Sequence, residues 1–242
     1  MVAASKGAGV HAALASGRYA FVDVGCGDGG SMNQLSRRFG RTPGLGLDSD
    51  RELVDAARVA GFDALVCDLV APDVVFPEQT VEFAAAMDVL EHLPSERDVV
   101  SVLRQLWRVA REFVFIRHPS FEDVAYLASL GLKFNWTDWT EHPTMLKLDD
   151  YRRIFAELGW TDYSIVPHMR YLDSRHDSVV PIGAPRDTMR YDAAAHGRKP
   201  IVELDRPVWG KFDIFVKRNP DVDEAAWRRL TRIDGWEAHW EF

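Results

Sequence analysis

The chain is short of three things, and each shortage excludes something. Basic residues are outnumbered: 29 Lys and Arg stand against 37 Asp and Glu, for a formal charge of −8. Binding a nucleic-acid backbone needs the opposite balance, which argues against nucleic acid as the main partner, though not against a local basic patch. Long apolar runs are missing, and nothing approaches the run of about 20 residues that spans a bilayer. Met1 to Gly17 carries scattered alanines but no uninterrupted apolar stretch of the signal-peptide kind. Cysteine occurs only twice, at Cys26 and Cys67. No internal repeat or low-complexity segment is present, and the Asp, Glu and His of the second half make no metal-ligand spacing, so no metal is expected. What remains is a chain of 242 residues, 47% hydrophobic, enough for one well-buried domain.

The first half repeats one pattern. Ala20–Val24 is a short apolar run ending in glycines, as buried strands do. Ser31–Phe39 follows with apolar residues at helical spacing. Leu45–Leu47 closes on Asp48, Ala64–Cys67 on Asp68, and Val81–Met87 on Asp88. Between them, residues 51–60 read as a helix with Leu53, Val54, Ala57 and Val59 toward the sheet. Pro94 and Ser95 open a helix through Ala110, and Glu112–Ile116 makes a fifth strand. Strands alternating with helices over short loops imply right-handed βαβ units and a parallel sheet covered on both faces. Ligands in such sheets bind beyond the C-terminal strand ends, where these acids sit. Cys26 and Cys67 fall on strands two spacings apart, roughly 9–10 Å. That is beyond disulfide reach, so free thiols and a cytoplasmic location are expected.

The second half changes character. Phe121–Leu130 reads as a helix, residues 134–142 as an aromatic and polar loop, and Leu148–Leu158 as a helix stopped by Gly159. Thr161–Leu172 and Lys211–Lys217 alternate like two antiparallel strands, and Asp221–Ile233 reads as a last helix. Between the two strands, residues 173–210 form a long loop, and long loops in compact domains are usually functional.

Gly25, Gly27 and Gly30 satisfy G-x-G-x-x-G, a pattern that a dinucleotide site would share. Charge separates the two readings. A dinucleotide lays its pyrophosphate on the turn, where backbone amides favour anions. Here Asp23 and Asp28 flank the turn and would repel it. S-adenosylmethionine carries no phosphate and brings a sulfonium and an ammonium, which acids suit.

The segments Val22-Asp23-Val24-Gly25-Cys26-Gly27-Asp28-Gly29, Gly46-Leu47-Asp48, Cys67-Asp68-Leu69 and Met87-Asp88-Val89-Leu90-Glu91-His92-Leu93 occur in order. Over residues 21–118 the chain resembles the class I S-adenosylmethionine-dependent methyltransferases. The resemblance implies an α/β, Rossmann-like three-layer sandwich with a seven-stranded, mostly parallel sheet and an antiparallel last strand. It implies that Gly25 and Gly27 let the backbone approach the methionine part of the cofactor, with Asp23 supporting the turn. Asp48 would accept from the ribose hydroxyls and Asp68 from the adenine amino group, with Leu69 beside the ring. Met87, Asp88 and His92 would line the wall near the methyl group. Without a cofactor, Asp48 or Asp68 would serve as a helix N-cap.

Methyl transfer asks for alignment and exclusion of water, and an aliphatic hydroxyl acceptor also needs a base. His142, with Glu141 or Asp138 to orient it, and His118, at the end of the fifth strand, are the candidates. Phe134, Trp136 and Trp139 would wall an acceptor or pack a cap. Arg170, Arg175, His168 and His176 would bind an anionic substrate group or face solvent. The expected organisation is a single domain over 1–242, with a cofactor-binding half at 19–118 and cap insertions at 119–147 and 173–210. Only about 20 residues precede the first strand, so this cap makes a small-molecule methyl acceptor the expected partner, for a monomer or homodimer. O-methylation of a sugar, glycan unit or natural-product intermediate is expected, with N-methylation as the alternative. A nicotinamide-dependent oxidoreductase and a non-catalytic binding protein of the same fold are the readings from other classes.

Overall fold

The computed structural model describes residues 6–231. Its helices are α1 (Lys6–Ala15), α2 (Gly30–Phe39), α3 (Arg51–Val59), α4 (Glu96–Val109), α5 (Val124–Ser129), α6 (Leu148–Leu158), α7 (Ala193–His196) and α8 (Glu224–Thr231). Its strands are β1 (Phe21–Val24), β2 (Gly44–Asp48), β3 (Asp63–Val66), β4 (Val81–Met87), β5 (Ala110–Pro119), β6 (Leu132–Phe134), β7 (Tyr163–Asp173), β8 (Val179–Pro181) and β9 (Glu203–Lys217). Seven of them form one sheet in the order β3-β2-β1-β4-β5-β9-β7. The first five are mutually parallel, and β9 runs antiparallel to both β5 and β7. This is the Rossmann-like arrangement the sequence implied.

Side chains alternate across the pleat, and two apolar layers result. Val22 and Val24 of β1 join α1, α4 and α6 in a core on one face, through Leu14, Leu103, Leu106 and Ile154. Phe21 points the other way, into a layer with Met32 and Leu35 of α2, Val54 and Ala57 of α3, and Trp227 of α8. In α4 five apolar residues, Val99, Val102, Leu103, Leu106 and Val109, are buried. Each such side chain contributes about 1.5–3 kcal/mol. Ser95 caps this helix by accepting from the Asp98 N–H.

Several expectations need correction. Leu53 and Val59 do not face the sheet: they are 41% and 90% exposed, and Val54 and Ala57 carry that packing. The helix after β5 is shorter than 121–130. The long loop is shorter too, because β9 begins at Glu203 and pairs with β7 as far as Asp173. Pro207 and Gly210 disguise that extension, since proline removes a ladder donor and a strand glycine reads as a break. Residues 232–233 of the last expected helix lie outside the described residues. The helix α1 and the two-stranded β6/β8 sheet were not foreseen.

The β6/β8 pair joins the two insertions. Phe134 stacks on Trp136 at 4.3 Å and meets Tyr171, with Phe121, Leu127 and Val179 completing a third apolar cluster. The Trp136 indole donates to the Ser120 carbonyl at 3.0 Å. These aromatics pack the cap itself. Along the same antiparallel edge of the sheet, Asp213 of β9 is buried between Arg117 of β5 (2.8 Å), Arg38 of α2 (2.6 Å) and His168 of β7 (3.2 Å). Burial alone would raise its carboxyl; Arg117, His168 and Arg38 overcome that and hold it far below the usual range.

Candidate active site

The first four strands end at a common edge, and a cavity of about 670 Å³ opens there, within the range of small-molecule sites. Its wall includes Gly25, Gly27, Asp48, Asp68, Leu69, Asp88 and His92. Seven of the nine residues expected around the cofactor are thus gathered in one place. The opposite rim is Thr140, Glu141 and Pro143 from the cap loop.

The glycine turn is built tightly. Gly25 has φ 71°, and a Cβ there would meet Val89 Cγ2 at 2.3 Å, so the turn and the segment after β4 interlock. Gly27 has φ 53° but nothing within 4 Å of a Cβ position, leaving bare backbone facing open space. Asp48 Oδ2 accepts from the Gly27 N–H at 2.9 Å, and its Oδ1 accepts from the Asp50 N–H at 2.9 Å. Asp48 is therefore not a helix cap; Asp50 caps α3, accepting from Glu52 N at 2.7 Å. Asp68 Oδ1 accepts from Val70 N at 3.1 Å and closes a turn.

Asp23 and Met87 lie beneath the wall. Asp23 is fully buried under the turn, where the Ser31 hydroxyl donates to it at 2.5 Å. Burial, with the Asp48 charge nearby, pushes its carboxyl up to about 7 against the Ser31 hydrogen bond. Burial also pushes Cys26 and Cys67 up to about 12; both are free and buried, as expected. Asp88 sits in the left-handed region at φ 51°, costly for a residue with a Cβ. Its N–H donates to the Arg117 carbonyl at 3.0 Å, and its Oδ2 accepts from Lys211 Nζ at 2.5 Å.

The two candidate bases differ in position. His142 is buried directly behind the rim, edge-on to His92 with ring centroids 4.7 Å apart. Its Nδ1 lies 3.0 Å from the Trp136 carbonyl, and burial lowers its basicity. His118 is only 1% exposed and does not reach the cavity wall. Burial pushes it down to about 4, and its Nδ1 is satisfied by the Pro119 carbonyl at 2.8 Å. Arg175 is drawn into pairs with Asp173 and Glu203, and His168 into the Asp213 cluster, away from the cavity.

Three features escaped the sequence reading. Lys211, midway along β9, reaches Asp88 over 123 residues of separation. Glu91 is 2% exposed, raised by burial and by the adjacent Asp88. Tyr151 is fully buried, and Glu91 contributes to raising its phenol after burial does. The H/E content of the Leu90-Glu91-His92 segment was visible, but not which of the two would turn inward.

Residues 21–112 match a family model described as a methyltransferase domain. No curated protein matches the chain in sequence. Among solved structures, a SAM-dependent methyltransferase from Archaeoglobus fulgidus matches at TM-score 0.55 and 15% identity, over 85% of this chain and 89% of that one. The YcgJ protein from Bacillus subtilis matches at 0.56 and 16% identity, over 89% and 98%. Magnesium protoporphyrin IX methyltransferase from Synechocystis, with bound S-adenosylhomocysteine, matches at 0.50 and 16% identity, over 83% and 74%. At these identities the structures speak to the fold, and the family match adds the methyltransferase domain. Residues 21–112 thus match a methyltransferase domain, set in a fold shared with S-adenosylmethionine-dependent methyltransferases. No described helix is long and apolar enough to cross a membrane.

Proposed function

We propose that this chain is a class I S-adenosylmethionine-dependent methyltransferase acting on a hydroxyl of a small molecule such as a sugar, a glycan unit or a natural-product intermediate. The observation that carries the reading is the cavity's construction: strand-end acids form one side, and the chain's own cap loop, Thr140 to Pro143, forms the other. A site roofed by its own insertions has room for a cofactor and a modest acceptor, and little for a folded macromolecule.

The residues divide the work along the cavity. Each Asp48 oxygen spends one lone pair on a backbone N–H, and the remaining lone pairs accept from the ribose hydroxyls. Asp68 Oδ2 accepts from the adenine amino group, with Leu69 against the ring. The bare backbone at Gly27 admits the methionine portion, with Asp23 supporting the turn from below through Ser31. Asp88 and His92 bound the methyl end, with buried Met87 beneath them. Bound S-adenosylmethionine supplies a methyl group on a sulfonium, already a strong electrophile, so the protein has only to align the acceptor and exclude water. The acceptor side is the His92, Thr140 and Glu141 rim, with His142 behind it. The cap is assigned to residues 119–147 and 174–202, within a single domain.

The test is methyl transfer from labelled cofactor to a panel of small hydroxyl and amine compounds, protein and RNA. Label in small hydroxyl compounds is the expected result. Label confined to amines would move the acceptor atom to nitrogen, and label only in protein or RNA would overturn the reading.

A further inference from the structure

Beside the cofactor cavity, Glu91, His92 and His142 bring three ligand-type atoms within 4.8 Å of one another, the only such group among the described residues. We propose that these three residues bind a divalent first-row transition-metal ion that holds the acceptor's hydroxyl oxygen. The inference rests on the reading of an oxygen acceptor given above.

The donor set is one carboxylate and two imidazoles, a combination that suits Zn²⁺, Fe²⁺, Co²⁺ or Mn²⁺ better than the oxygen-seeking Mg²⁺ or Ca²⁺. Metal bonds of about 2.0–2.2 Å hold ligand atoms roughly 3–3.5 Å apart, inside the 4.8 Å span of this group. Exposed His92 leaves the group room to adjust on binding.

Two independent observations point to a cation. Glu91 is 2% exposed, and its Oε2 is buried without a hydrogen-bond partner. His118 Nε2 stands 4.0 Å from that oxygen and also has no hydrogen-bond partner. A buried polar oxygen left so is rare unless something binds it. The second observation concerns His142. Its Nδ1 is engaged by the Trp136 carbonyl at 3.0 Å, which leaves Nε2 as the free nitrogen. A backbone carbonyl on the far ring nitrogen is the usual outer support of a metal-bound histidine, because it fixes tautomer and ring direction.

Position gives the ion a task. His92 lines the cofactor cavity with Asp88, and His142 stands directly behind Glu141 and Pro143 of its rim. Three protein ligands leave open coordination positions. A hydroxyl bound there loses its proton to cavity water more readily, as metal-bound water does. The O–CH3 bond then forms as the S–CH3 bond breaks, and the bonding pair returns to sulfur as a neutral thioether. Acceptors offering two adjacent oxygens, such as vicinal diols or catechols, fill two open positions and are the favoured class. The ligands come from two segments about 50 residues apart, so no spacing in the sequence displays them.

The test is a Co²⁺ titration of chelator-treated full-length protein, followed by visible absorption and calorimetry. The expected result is one ion per chain, with affinity lowered at least tenfold in both His142→Ala and Glu91→Gln. His92→Ala, at an exposed position, serves should Glu91→Gln fail to fold. Absence of stoichiometric binding, or binding unchanged in His142→Ala and His92→Ala, overturns the proposal. S-adenosylmethionine affinity is measured on the same metal-free protein. Cofactor binding without Co²⁺ binding removes the metal alone, whereas loss of cofactor binding removes the cavity's assignment.

Discussion

Gly27 donates its backbone N–H to the Asp48 carboxylate across 2.9 Å. The glycine turn after β1 is thereby tied to the end of β2, and an acid on the cavity wall also shapes the loop beside it. Asp48→Ala removes both effects. It is expected to weaken S-adenosylmethionine binding by about 1–3 kcal/mol, the cost of unpaired polar groups. Asp50→Ala, which removes only the α3 cap, is expected to cost about 1 kcal/mol of stability and leave cofactor affinity nearly unchanged. Calorimetry on the two variants separates the roles, and equal affinities would place the ribose elsewhere.

That pair also marks how far the sequence could be read. An acid ending each strand was visible because strands β1 to β4 announce themselves as apolar runs closing on glycine or aspartate. Which acid would cap a helix was not: Asp48 and Asp50 are two residues apart, and only backbone direction after β2 decides that Asp50 turns onto α3. The antiparallel edge was legible where β9 alternates, from Lys211 to Lys217, and illegible across Pro207 and Gly210. The polar centre behind the cavity was hardest. Glu91, His118, His142, Tyr151 and Lys211 meet through tertiary folding, and a charged residue destined for burial has no local signature.

The Asp213 cluster is expected to dominate the stability of the sheet's antiparallel edge. Asp213→Ala removes the carboxylate that pairs with Arg117 and Arg38 at 2.8 and 2.6 Å, and the loss is expected at about 3–5 kcal/mol by urea denaturation. A loss under about 1 kcal/mol would show that these arginines find equal partners without it.

Asp23 gives a pH dependence of definite sign. Its carboxyl lies at about 7 in the folded chain and near 3.8 unfolded, so between those values the folded state holds a proton the unfolded state has lost. Stability therefore falls as pH rises from about 4 to about 7. His118, at about 4 folded against 6.5 unfolded, acts oppositely over most of that window. The comparison is thus between wild type and Asp23→Asn: the variant's melting temperature is expected to gain on wild type between pH 5 and pH 8. A constant difference would contradict a proton on Asp23.

Both thiols are expected to resist alkylation in the native protein at pH 8, since burial pushes each up to about 12 and the thiolate is the reactive form. Mass spectrometry should find no iodoacetamide adducts before denaturation and two after it. Rapid native labelling of Cys26 would mean that the turn opens readily.

His142→Ala is expected to slow methyl transfer about 100-fold or more while leaving cofactor affinity unchanged, whether the side chain takes a proton or holds an ion. Unchanged turnover across pH would remove His142 from the acceptor side.

The most direct test is calorimetric titration of purified protein with S-adenosylmethionine, S-adenosylhomocysteine and NAD. The acids at the strand ends predict micromolar binding of the first two and none of NAD. NAD binding without S-adenosylmethionine binding would contradict the account at its centre.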